Sequence, residues 1–180
     1  PYVYSYRLVR LKGTFHRIAD EKKYDFVKQI EEDYQKYKAY IKNNRYVDGW
    51  IRELLEAPVE YCDKVISDKK KVKEMIKGSE GVVIYGAGRQ ADIIMRILYN
   101  EGMFEKIKCF AVSEEMTNRQ MASKDILRVE DAKEYFSGAV FILAVAPGTN
   151  AYYNMRERLK QLGINDYLQM TDFLEKFNYI

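Results

Sequence analysis

An apolar run, Gly81-Val82-Val83-Ile84-Tyr85, passes through Gly86-Ala87-Gly88 directly into Arg89-Gln90-Ala91 and an apolar helix face of Ile94, Met95, Ile97 and Leu98. Glycines at 86 and 88 with a small residue at 91 suit a backbone that cradles a pyrophosphate. Gly86 takes the tight turn after the strand, Gly88 lets main-chain amides approach an anion, and Ala91 allows the helix to pack close on the strand. The first helical turn then presents free N–H groups and the positive end of the helix dipole. Gly86, Ala87, Gly88, Arg89, Gln90 and Ala91 are therefore the first candidate ligand contacts. Arg89 reads either as a phosphate-reaching side chain or as a solvated helix-start residue.

Two further segments supply polar groups at strand ends. Ala111-Val112-Ser113-Glu114-Glu115 ends a strand where such a cradle needs a carboxylate for ribose hydroxyls, and Glu114, beside Ser113, is the candidate. It stands further from Gly86 than the roughly 20 residues usual for that role, or else it is simply a loop carboxylate. Ala144-Val145-Ala146-Pro147-Gly148-Thr149-Asn150 ends another strand, so Ala146 is expected beside the cradle. Thr149 or Asn150 there either caps the next helix or touches a ribose or sugar diphosphate. No residue is nominated as catalytic or metal-binding. The single histidine, His16, lies far upstream, and no Asp-x-Asp occurs. The two Tyr-x-x-x-Lys matches, Tyr24/Lys28 and Tyr34/Lys38, fall in a Lys- and Tyr-rich helix and read as chance.

The elements that must position these residues alternate. Strands are expected at about 82–86, 107–112, 126–129, 139–145 and 166–169, and helices at about 89–101, 130–136, 150–162 and 171–177. This rhythm predicts an α/β domain over 78–180, with a Rossmann-like parallel sheet in order 3-2-1-4-5 and ligands at the C-terminal strand ends near Gly86, Ser113 and Ala146. Residues 1–77 form a different segment. Tyr2, Tyr4 and Tyr6 alternate as on a strand over 2–11, whose sheet is expected in a preceding domain. Phe26, Ile30, Tyr34, Tyr37 and Ile41 mark a helix that Asp20 would cap and Asn43-Asn44 would end. Two more helices follow, at about 47–57 and 59–77.

Composition narrows the function classes. With 47% hydrophobic and 32% charged residues the chain has the balance of a globular protein, not a disordered one. No apolar run approaches the roughly 20 residues that cross a bilayer, and the N-terminal run does not read as a signal peptide, so a cytoplasmic location is expected. The net charge of +3 comes from an excess of Lys and Arg in residues 1–77. Its densest run, Asp68-Lys69-Lys70-Lys71-Val72-Lys73, has apolar residues at helical spacing and reads as a solvated helix face, with no nucleic-acid partner. Cys62 and Cys109, in a predicted helix and a predicted strand, read as two buried thiols.

Two stretches carry a resemblance. Residues 1–60, through Tyr2-Val3-Tyr4-Ser5-Tyr6-Arg7 and Gly13-Thr14-Phe15-His16-Arg17 before a Lys/Glu/Tyr-rich helix, resemble the tail of bacterial family 2 glycosyltransferases. Residues 78–180, through Val83-Ile84-Tyr85-Gly86-Ala87-Gly88, the strand ending near Ser113 and Leu143-Ala144-Val145-Ala146, resemble the Rossmann-like domain of bacterial polysaccharide and sugar-nucleotide proteins. The resemblance implies a C-terminal accessory portion of a glycosyltransferase of cell-surface polysaccharide biosynthesis. Its partner would be an upstream catalytic domain holding the Asp-x-Asp, and this chain would bind or position a nucleotide or nucleotide-sugar while transferring nothing itself. His16 would be a donor-site remnant or a loop histidine beside that domain. Two alternatives stand: an NAD(P)-dependent oxidoreductase-type domain acting on a nucleotide-sugar, or an interaction module whose cradle is empty. The ligand thus stays open between NAD(P) and a nucleotide-sugar, and the exposed N-terminal strand would favour self-association.

Overall fold

The computed structural model describes residues 2–41, 45–114 and 119–177, and the chain divides into one compact unit reaching to Lys70 and a second over Lys71–Leu174. The division falls inside a helix, ahead of the Lys77–Gly78 boundary expected from the sequence. The reason is that the last turns of that helix bury Val72 and Ile76, and a Lys73–Glu101 ion pair at 2.5 Å ties them to the second unit.

The first unit is helical: α1 (Tyr2–Arg17), a 3-10 turn (Asp20–Lys22), α2 (Lys23–Ile41), α3 (Arg45–Glu56) and the start of α4 (Pro58–Gly78). The strand expected over 2–11 is overturned, because the segment is the first helix. Leu8, Leu11 and Phe15 recur at three and four residues and pack against Val27, Ile30, Trp50, Ile51 and Leu54. This helical face outweighs the local β-preference of the alternating tyrosines. Asp20 is not the cap of α2. It opens the 3-10 turn, whose capping position is Ala19, and lies 3.5 Å from the Lys23 ammonium. Lys23 instead closes α1: fully buried, its Nζ donates to the carbonyls of Phe15 (2.9 Å), His16 (3.2 Å) and Ile18 (3.0 Å). These are the carbonyls a helix end leaves without partners. The expected end at Asn43-Asn44 lies outside the described residues. Pro58 at the first position of α4 has the φ a helix start needs and no N–H to lose.

The second unit is α/β. Its strands are β1 (Gly81–Tyr85), β2 (Ile107–Val112), β3 (Gln120–Met121), β4 (Lys124–Arg128), β5 (Ala139–Leu143) and β6 (Tyr167–Gln169), and its helices are α5 (Arg89–Asn100), α6 (Val129–Tyr135), α7 (Asn150–Gln161) and α8 (Met170–Phe177). The sheet has six strands in order β3-β4-β2-β1-β5-β6. The expected five-strand order 3-2-1-4-5 needs correction by one strand. Two-residue β3 adds antiparallel to β4 outside the parallel set, through a turn in which Ala122 and Ser123 hold φ of 50° and 63°. Neither residue carries the glycine signal that marks such turns, so the hairpin is silent in the sequence.

Central β1 is buried at every position. Val83 and Tyr85 join Cys109, Ala111, Phe141 and Leu143 in a core covered by Val129 and Ala132 of α6 and Tyr152 and Leu159 of α7. Val82 and Ile84 alternate to the opposite face. The helix following β1, α5, buries Ala91, Ile94, Ile97 and Leu98 outside that first cluster. Both cysteines are buried and free.

Candidate functional site

The strand order changes direction between β1 and β5, since β1 leads to β2 on one side while β5 lies on the other. At such a point two connections leave the sheet in opposite directions, and a crevice opens at the C-terminal strand ends. Gly86 occupies it. Its N–H donates to the Ala111 carbonyl at 2.8 Å, and the Ala144 N–H donates to the Tyr85 carbonyl at 2.8 Å, so the ends of β2, β1 and β5 are tied together around the turn. The chain escapes because Gly86 adopts φ +126°, and a Cβ there would stand 2.9 Å from the Ala144 carbonyl oxygen. Only glycine meets both conditions without strain.

Gly88 is glycine for no such internal reason. It caps α5 in extended conformation, φ −110° and ψ −160°, and a Cβ would meet nothing within 4 Å. No side chain caps this helix. The first intrahelical bond runs from Asp92 N–H to the Gly88 carbonyl at 3.1 Å, so the amides of Arg89, Gln90 and Ala91 precede the ladder. Ala91 is fully buried as the small packing position; Ala87 and Gln90 are half-buried, and Arg89 is exposed.

Ser113 follows β2, and its hydroxyl lies 2.6 Å from the hydroxyl of Tyr85. Tyr85 is fully buried, and burial pushes its pKa up although the Ser113 bond opposes this. The sequence reading assigned Tyr85 only to the core. Its signal was a polar-tipped aromatic at the last position of a buried strand, where the tip needs a partner. Glu114 is exposed beside Ser113, and Glu115 lies outside the described residues.

On the β5 side, Thr149 resolves into a cap. Its hydroxyl donates to the half-buried Ala146's carbonyl at 3.0 Å and accepts from the Tyr152 N–H at 3.1 Å, while Gly148 turns at φ +80°. Asn150 is the first residue of α7. A polar group the sequence reading missed sits at the start of α6. Glu130 accepts from Arg158 Nε at 2.5 Å and lies 3.3 Å from Arg128 Nε. Burial pushes its pKa up, but a backbone hydrogen bond and the two guanidinium groups outweigh that and hold it below the usual range.

The strand-end candidates therefore gather at one edge of the sheet: Gly86 to Ala91 after β1, Ser113 and Glu114 after β2, and Ala146 after β5. His16 belongs to the helical unit. It is not a loop residue: it sits in α1 with 5% exposure, both its ring nitrogens lack hydrogen-bond partners, and the Phe15 ring meets it edge-on. Burial, then the charges of Lys12, Lys23 and Lys69, lower its pKa to about 4. Among the described residues no group of three or more His, Cys, Asp or Glu side chains could hold a metal ion, and no helix is long and apolar enough to cross a membrane. Comparison with protein-family models, curated proteins and solved structures finds no match to the chain.

Proposed function

We propose that the α/β unit binds the phosphate-bearing part of a nucleotide or nucleotide-sugar at the β1–α5 turn. The chain then serves as a C-terminal accessory portion of a bacterial glycosyltransferase of surface-polysaccharide assembly, binding or positioning without transferring. One observation carries the binding half of this reading. A helix start without a side-chain cap stands at the switch point of a mostly parallel sheet, next to a glycine whose missing side chain leaves open space. Uncapped amides at the positive end of a twelve-residue helix favour an anion there. Gly88, which packing alone does not require, is explained if the space is kept for phosphate oxygens. The glycosyltransferase half rests on the sequence resemblance of residues 78–180, since the resemblance of residues 1–60 called for a strand where the structure has α1.

An oxidoreductase reading draws less support. It needs a group that exchanges protons near neutral pH, and the Tyr85–Ser113 hydroxyl pair at the site includes a buried Tyr85 whose pKa burial pushes up, which keeps it protonated. The test is a melting-temperature screen of the purified chain with NAD(H), UDP-glucose, UDP-N-acetylglucosamine and GDP-mannose. The reading expects at least one to raise the melting temperature by mass action. No shift with any of them would leave the cradle a structural turn.

A further inference from the structure

Three polar atoms of the helical unit are buried without hydrogen-bond partners: Nδ1 and Nε2 of His16 in α1, and Nε1 of Trp50 in α3. A buried polar group left unpaired costs about 1–3 kcal/mol, and native proteins answer such groups with a bound water, ion or ligand. An imidazole and an indole left so in one small core point to a guest.

Lys12 joins the two rings. It stands one turn before His16 on the same face of α1, and its ammonium lies over the Trp50 ring, 5.8 Å from the centroid. Among the described residues, the charges bearing on His16 are the ammonium groups of Lys12 from α1, Lys23 from α2 and Lys69 from α4. Asp20, 3.5 Å from the Lys23 ammonium, answers one of the three. Lys12 and Lys69 are half-buried, so the rings border solvent through long, flexible side chains.

These surroundings select the guest. A neutral imidazole offers one N–H and one lone pair, an indole one N–H, and an ammonium only donors. Donors outnumber acceptors and the local charge is positive. A water would leave that charge unanswered and a metal cation would be repelled by it, whereas an oxyanion brings both negative charge and several acceptor oxygens. We propose that the helical unit binds a phosphate or sulfate group between α1, α3 and α4, with the N–H groups of His16 and Trp50 on its oxygens and Lys12 and Lys69 beside it. The site shares no residue with the β1–α5 turn, so it stands or falls apart from the nucleotide reading.

The chain has one histidine and one tryptophan, so NMR follows each ring without ambiguity. The test titrates sodium sulfate, inorganic phosphate and glucose 1-phosphate into the full chain at constant ionic strength. Sulfate and phosphate should move the indole N–H and imidazole signals saturably. Sulfate should also raise the pH at which His16 titrates, from about 4 by about one unit or more. A matching response to glucose 1-phosphate would identify a phosphate group carried by a small ligand, and its absence a free ion. Lys12→Met should weaken binding roughly tenfold. His16→Phe should abolish the indole response, and the half-buried Lys12 keeps the test decisive if that core variant does not fold. Either ring failing to respond, chloride moving the same signals equally, or a response that Lys12→Met leaves unchanged would each overturn the proposal.

Discussion

At the scale of single residues, two glycines of one motif do different work. Gly86 is required by the protein's own backbone, since its φ of +126° and the 2.9 Å approach to the Ala144 carbonyl exclude a side chain. Gly86→Ala should therefore lower unfolding stability by about 2–4 kcal/mol, measured by urea denaturation; an unchanged midpoint would mean the turn relaxes freely. Gly88 is under no such constraint. The sequence showed both glycines but could not tell them apart, because the difference lies in a carbonyl more than fifty residues away. His16 gives a second residue-scale prediction. Its folded pKa of about 4 lies below the ordinary histidine value of 6.5, so the unfolded chain binds the proton more readily. The stabilisation from keeping His16 neutral is complete above about pH 6.5, falls as pH drops towards 4, and is gone below that. Between pH 7 and 5 the loss comes to about 2 kcal/mol. His16→Phe should flatten this part of the pH profile in denaturant melts, and an equally steep profile in the variant would remove the buried imidazole as its cause.

At the scale of elements, the sequence was most legible where period and punctuation agreed. The strand at β1 and the helix at α5 follow from an apolar run, a glycine turn and an amphipathic repeat, and Thr149 announces its helix by residue type. It was least legible over α1, where tyrosines at every second position imitate a strand. The face that decides the matter, Leu8, Leu11 and Phe15, acquires its meaning only from α2 and α3. The hairpin of β3 was invisible because Ala122 and Ser123 adopt positive φ without the usual residues. Since Leu8 and Phe15 are fully buried and each such side chain contributes about 1.5–3 kcal/mol, deleting residues 1–17 should unfold the helical unit. Circular dichroism should then show a loss of helix well beyond the deleted segment. A loss limited to the residues removed would mean that α2, α3 and α4 sustain their own core.

At the scale of the whole molecule, the sheet brings to one edge the segments on which the nucleotide reading depends, and the parallel order of β4, β2, β1, β5 and β6 accounts for that. Most of this site was legible because it is built from main chain, whose needs show as glycines and strand ends. The Tyr85–Ser113 hydroxyl pair and the Glu130–Arg158 pair were not legible, since each joins residues brought together only by the crossovers. The central claim is that an anion occupies the space beside Gly88. It is tested most directly by calorimetric titration of whichever nucleotide raises the melting temperature, into the unaltered chain and into Gly88→Val. The backbone at Gly88 is extended and a Cβ there would meet nothing within 4 Å, so the Gly88→Val fold should lose no more than about 1 kcal/mol. The account expects saturable binding to the unaltered chain and none to the variant, with both chains folded. Equal affinity in the two chains would contradict it and place the ligand elsewhere.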